Sequence, residues 1–88
     1  MDSEQTQCCE TLLCLRVVAQ AEPGILTRVL FFLQNINIVP RRVLAERDSS
    51  NRLYVALDVF GLAEQRATMI AAKIRQLPDV LDAHWYRR

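Results

Sequence analysis

The chain has 88 residues, with 11 basic and 10 acidic side chains and a formal net charge of +1. That length makes one domain, which buries roughly 60–65% of its unfolded surface, so it folds alone with little margin or gains by pairing. The even charge balance argues against a nucleic acid or an anionic membrane surface as the main partner.

Residues 1–10 read as a polar leader and 11–88 as a single domain. All the cysteines, Cys8, Cys9 and Cys14, lie in the first 14 residues, so none later in the chain can close a loop. A disulfide-stapled secreted domain is therefore not expected, and Cys14 reads as a small apolar strand residue. The leader carries Asp2 and Glu4 where a secretion signal would carry basic residues, and Arg16 interrupts the apolar run well short of a membrane span. A reducing, cytoplasmic setting is expected.

Strand 1 spans about 11–20, with Leu13, Leu15, Val17 and Ala19 on one face and Arg16 and Gln20 on the other. Glu22-Pro23-Gly24-Ile25-Leu26 then joins this period-two run to a helical one. Pro at a helix entrance loses no hydrogen bond, and Gly beside it keeps the approach to the backbone N–H groups free of a Cβ. Such an entrance favours a carboxylate or phosphate, while the plainer reading is that Pro-Gly only turns the corner. Helix 1, about 24–34, places Ile25, Val29, Phe32 and Leu33 on one stripe and is expected to end near Asn35, a residue that tolerates left-handed angles.

Strand 2 is expected from Ile36 to Arg47, alternating imperfectly around Pro40. Proline cannot donate to a ladder, so strand 2 belongs at an edge. Arg41, Arg42, Arg47 and Arg52 cluster around the following hairpin and read as a solvated edge. Asp48-Ser49-Ser50-Asn51 supplies a turn of residues that bond their own backbone. Strand 3, Arg52–Phe60, alternates cleanly, with Leu53, Val55, Leu57 and Val59 opposite Arg52, Tyr54, Ala56 and Asp58. Helix 2, Ala63–Leu77, carries Ala63, Ala67, Ile70, Ile74 and Leu77 on one stripe and stops before Pro78; strand 4 is Val80–Tyr86.

The order is βαββαβ, the ferredoxin-like α+β arrangement of a four-stranded antiparallel sheet with two helices on one face. A long strand 2 at the edge predicts a homodimer through that strand. Catalytic chemistry is not indicated. No nucleophile stands beside a base, and the single His84 is far in sequence from every cysteine; Glu46, Asp48 and Asp58 read as a solvated hairpin rather than an acid–base pair. The C-C-x4-C spacing is not a zinc pattern, the first loop lacks the thiolates of a metallochaperone, and strand 1 lacks the aromatics of an RNA-binding sheet. No metal or cofactor is implied.

Leu15-Arg16-Val17-Val18-Ala19, then Glu22-Pro23-Gly24-Ile25-Leu26-Thr27-Arg28-Val29, Asn37-Ile38 and Leu77-Pro78-Asp79-Val80 together resemble an ACT domain over about residues 12–86. Among ACT domains, the small regulatory subunits of acetohydroxyacid synthase (acetolactate synthase) are similar in the P-G-I-L-x-R-V and N-I segments. The resemblance implies a non-enzymatic regulatory module that pairs into a larger sheet, binds an amino acid, a branched-chain one foremost, near the dimer interface, and docks on a catalytic subunit. It also implies that the amides of Gly24, Ile25 and Leu26 receive the effector carboxylate, with Asn37 and Ile38 supplied by the partner chain. Ala21 stands where many effector-binding members carry Asn or Asp, which leaves open a module that has lost its ligand and only holds a partner.

Overall fold

The computed structural model describes residues 12–87. The leader expected at 1–10, with Cys8 and Cys9, lies outside the described residues. Alternating apolar residues build the central strands: β1 (Leu12–Gln20) and β3 (Arg52–Phe60) pair antiparallel along their whole length, Leu12 opposite Phe60 and Gln20 opposite Arg52. β4 (Val80–Arg87) flanks β1, and β2 (Arg42–Arg47) flanks β3, so the sheet order is β2-β3-β1-β4. With α1 (Ile25–Asn35) and α2 (Glu64–Arg75) this is the expected ferredoxin-like βαββαβ arrangement.

The core lies between the sheet and the helices. Leu13, Leu15, Val17 and Ala19 of β1 meet Val55, Leu57 and Val59 of β3, and the helices close over them with Ile25, Val29 and Leu33 and with Ala67, Ile70 and Ile74. Burying the Val, Leu and Ile side chains among these contributes about 1.5–3 kcal/mol each, and this shared core is what holds the helices to one face. Of the expected helix 2 stripe, Ala63 is exposed, while Ala71 is buried in addition.

Strand 2 is shorter than the sequence suggests. It begins at Arg42, not Ile36, because the end of α1 takes residues 36–38 for itself. The Ile36 amide donates to the Leu33 carbonyl at 3.2 Å, Asn37 to Gln34 at 3.0 Å and Ile38 to Leu33 at 3.0 Å. The left-handed residue of this cap is Asn37 (φ 61°), whereas Asn35 completes the helix. Pro40 therefore precedes β2 rather than interrupting it, although β2 does form an edge. The hairpin turn follows the residue types chosen for it: the Asp48 carboxylate accepts the Ser50 and Arg52 amides at 2.9 and 3.0 Å, and Asn51 takes φ 66°.

Candidate functional site

The entrance of α1 is built by a turn. The Ile25 amide donates to the Glu22 carbonyl at 3.1 Å, and Arg28 donates to the Gly24 carbonyl at 3.0 Å, which starts the helical ladder at Gly24. Gly24 has ordinary helical angles (φ −88°, ψ −5°), and a Cβ built on it meets nothing within 4 Å. No side chain caps the helix, and its first turn has no acidic residue. A helix start leaves its first amides without intrahelical acceptors. Here the Ile25 amide is engaged by Glu22, so the Gly24, Leu26 and Thr27 amides are the open donors of the turn. They sit at the positive end of the helix dipole, which favours an anion.

The strand before the turn is fixed by its neighbours. Gln20 donates its amide to Asp79 at 2.8 Å, and Ala21 donates to Asn51 at 3.0 Å. The β2–β3 turn and the α2–β4 turn thus gather at the same end of the sheet as Pro23-Gly24, a convergence of three loops that the sequence reading did not foresee.

Asn37 and Ile38, the other two residues expected at an effector site, stand at the opposite end of α1. An 11-residue helix is ~16 Å long, so one chain does not bring them to Gly24. Asn37 is exposed and Ile38 half-buried.

A second concavity lies on the face of the sheet away from the helices. It is a groove of about 560 Å³, reaching from Arg42, Leu44 and Glu46 on β2 to Asp82, His84 and Tyr86 on β4. The Arg16 guanidinium lies over the Tyr86 ring, 5.4 Å from its centroid, and Nδ1 of His84 is 3.3 Å from the Asp82 carboxylate. Asp58, expected in a solvated hairpin, is instead 3% exposed. It stands opposite Arg42 and Cys14 in the ladders of β3. Alternation placed it on the right face but could not show its burial. Among the described residues no three His, Cys, Asp or Glu side chains stand together as a metal site, and no helix is long and apolar enough to cross a membrane.

Comparison with known proteins places this arrangement. The family model of the ACT-like domain matches residues 3–87. The chain belongs to the ACT-like domain family. The ACT domain of the GTP pyrophosphokinase of Chlorobium tepidum superposes with a TM-score of 0.73 at 14% identity, covering 88% of this chain and 99% of that one. The C-terminal domain of the MgtC protein from Mycobacterium tuberculosis gives 0.77 at 15% identity, covering 100% and 94%. A homoserine dehydrogenase from Thiobacillus denitrificans gives 0.69 at 22% identity, covering 92% of this chain and only 18% of that enzyme. Identities this low show a shared fold. No curated protein matches the chain in sequence. ACT-like domains are commonly regulatory modules that bind small molecules, and some of the similar structures, like the dehydrogenase, belong to enzymes.

Proposed function

We propose that this ACT-like domain is a cytoplasmic, non-catalytic regulatory module that binds an amino acid, a branched-chain one foremost, as the small regulatory subunit of acetohydroxyacid synthase. The observation that carries the reading is the α1 entrance, where no side chain caps the helix, its first turn has no acidic residue, and the Gly24, Leu26 and Thr27 amides have no backbone acceptor. An α-carboxylate is the complement of that geometry. Asn37 and Ile38 join the same site only when a second chain supplies them, because α1 separates them within one chain, and pairing through β2 is the proposed route to that dimer.

A thermal-shift screen of the 20 amino acids tests the binding. A ligand at 100 times its Kd stabilises the fold by about 2.7 kcal/mol. Gly24→Asp sets a like charge against the carboxylate at a position with ordinary φ and free space, so the shift should disappear while the unliganded fold persists. Mixing with the synthase catalytic subunit tests the partner, the expected result being altered activity or feedback inhibition.

The second reading, a ligand-free assembly module, is favoured by Ala21, which offers no side-chain acceptor to an effector ammonium, and by the engagement of the Ile25 amide. It predicts no shift with any amino acid and an unchanged association with the partner enzyme.

A further inference from the structure

We propose that the acidic segment before β1, residues 1–11, folds back over one end of the outer face of the sheet and is drawn there by Arg16 and Arg42. The helices pack on the other face, so residues on this one should stand open. Most do: Arg16, Tyr54 and His84 are exposed, and the small Ala56 is half-buried. One row departs from this. The register aligns Arg42, Asp58, Cys14 and Tyr86 across the four strands. Arg42 and Tyr86, at the two ends of the row, are exposed, yet Asp58 and Cys14 between them are 3% and 2% exposed.

Pairing within the sheet does not account for that burial. Strand neighbours flank a side chain without roofing it, and Ala56, one row away between the same strands, keeps surface despite its size. A carboxylate withdrawn from water also requires donors, and both Asp58 and Cys14 are engaged. The middle of the row therefore has a cover, and the chain supplies one nearby. β1 starts at Leu12, two residues from Cys14, so the preceding segment leaves the sheet at this end. Eleven residues reach at most ~36 Å, whereas β1 and β2 are two strand spacings, ~10 Å, apart.

Charge selects the same end of the face. The segment carries Asp2, Glu4 and Glu10 and no basic side chain. Arg42 stands in the covered row, and the Arg16 guanidinium reaches into it, 5.4 Å from the Tyr86 ring centroid. The far end carries Glu46 and Asp82, which repel the same segment. Ser3, Gln5, Thr6 and Gln7 supply donors for the Asp58 carboxylate. Seated there, the segment closes one end of the outer groove and competes with any protein that docks on this face.

Two measurements on the full chain test this. In Cys8→Ser/Cys9→Ser, the Cys14 thiol reports the cover through its rate of reaction with a neutral disulfide reagent. Adding Asp2→Lys, Glu4→Lys and Glu10→Lys turns attraction into repulsion, and should raise that rate about tenfold or more with an unchanged circular dichroism spectrum. In Cys8→Ser/Cys9→Ser/Gln5→Cys, a nitroxide at position 5 should broaden the amides of Arg42, Ala56 and Asp58 and spare those of Met69 and Lys73 on α2. A Cys14 rate indifferent to the charge reversal, or broadening equal on the two faces, overturns the proposal.

Discussion

β4 and β2 close the two edges of one sheet, and they are held in place differently. β4 is tied to α2 by side chains that reach across: Nε1 of Trp85 donates to the Ala67 carbonyl at 2.7 Å, and Arg75 donates to the Ala83 carbonyl. Ala83 is fully buried, and Glu64 forms an ion pair with Arg87. All six residues of β2 are exposed, and the strand is held chiefly by its ladder to β3. The difference teaches which edge gains from a second chain. β4 already has a helix to anchor it, whereas β2 offers backbone groups and half-exposed apolar residues that only a partner would cover.

The largest expected effect separates the centre from the β2 edge. Leu15→Ala removes a side chain with no exposed surface and should cost about 2–5 kcal/mol by urea unfolding, against less than ~1 kcal/mol for Val43→Ala. Equal losses would mean that β2 is covered in solution. Trp85→Phe keeps an aromatic ring but loses the indole N–H donor to Ala67 and part of the ring's packing, and should cost about 1–2 kcal/mol while faster hydrogen exchange is confined to β4 and α2. Spread of that exchange to β2 would erase the contrast between the edges.

Val43→Lys sharpens the comparison from the other side. Val43 is 43% exposed, so the change should leave the monomer folded and act on association, read as a shift from dimer to monomer in sedimentation. The smallest effect is at the β2–β3 turn. The Arg52 amide, then the Ser50 hydroxyl, hold the Asp48 carboxyl below its usual 3.8. A depressed folded-state pKa stabilises the fold above the unfolded value, and that contribution is lost as pH falls through the lower one. Stability of the wild type should therefore decline more between pH 4 and pH 2 than that of Asp48→Asn, with the first changes at the Ser50 and Arg52 amides by NMR.

Much of this fold was legible because two strands carry clean period-two patterns: β3 runs from Arg52 to Phe60 as read, and β1 nearly so. Strand 2 misled because Ile36 and Ile38 alternate like a strand. Their amides instead cap α1, with Asn37 rather than the expected Asn35 in the left-handed region. The α1 entrance was legible from Pro23-Gly24, since its chemistry is local. The capture of the Ile25 amide by Glu22 was not, because it depends on how tightly the turn closes. The outer groove was half legible: Arg16, Tyr54 and Ala56 share a face by alternation, but the β2 and β4 residues that wall it depend on register between strands distant in sequence.

The central claim is that the α1 entrance binds an amino-acid carboxylate. A titration of the isotope-labelled chain with each branched-chain amino acid, followed by amide chemical shifts, tests it most directly. The account predicts saturable shifts at Gly24, Leu26 and Thr27, accompanied by Asn37 and Ile38 in the dimer and lost in Gly24→Asp. Unmoved amides at these positions at millimolar amino acid, in a folded and dimeric chain, would contradict it.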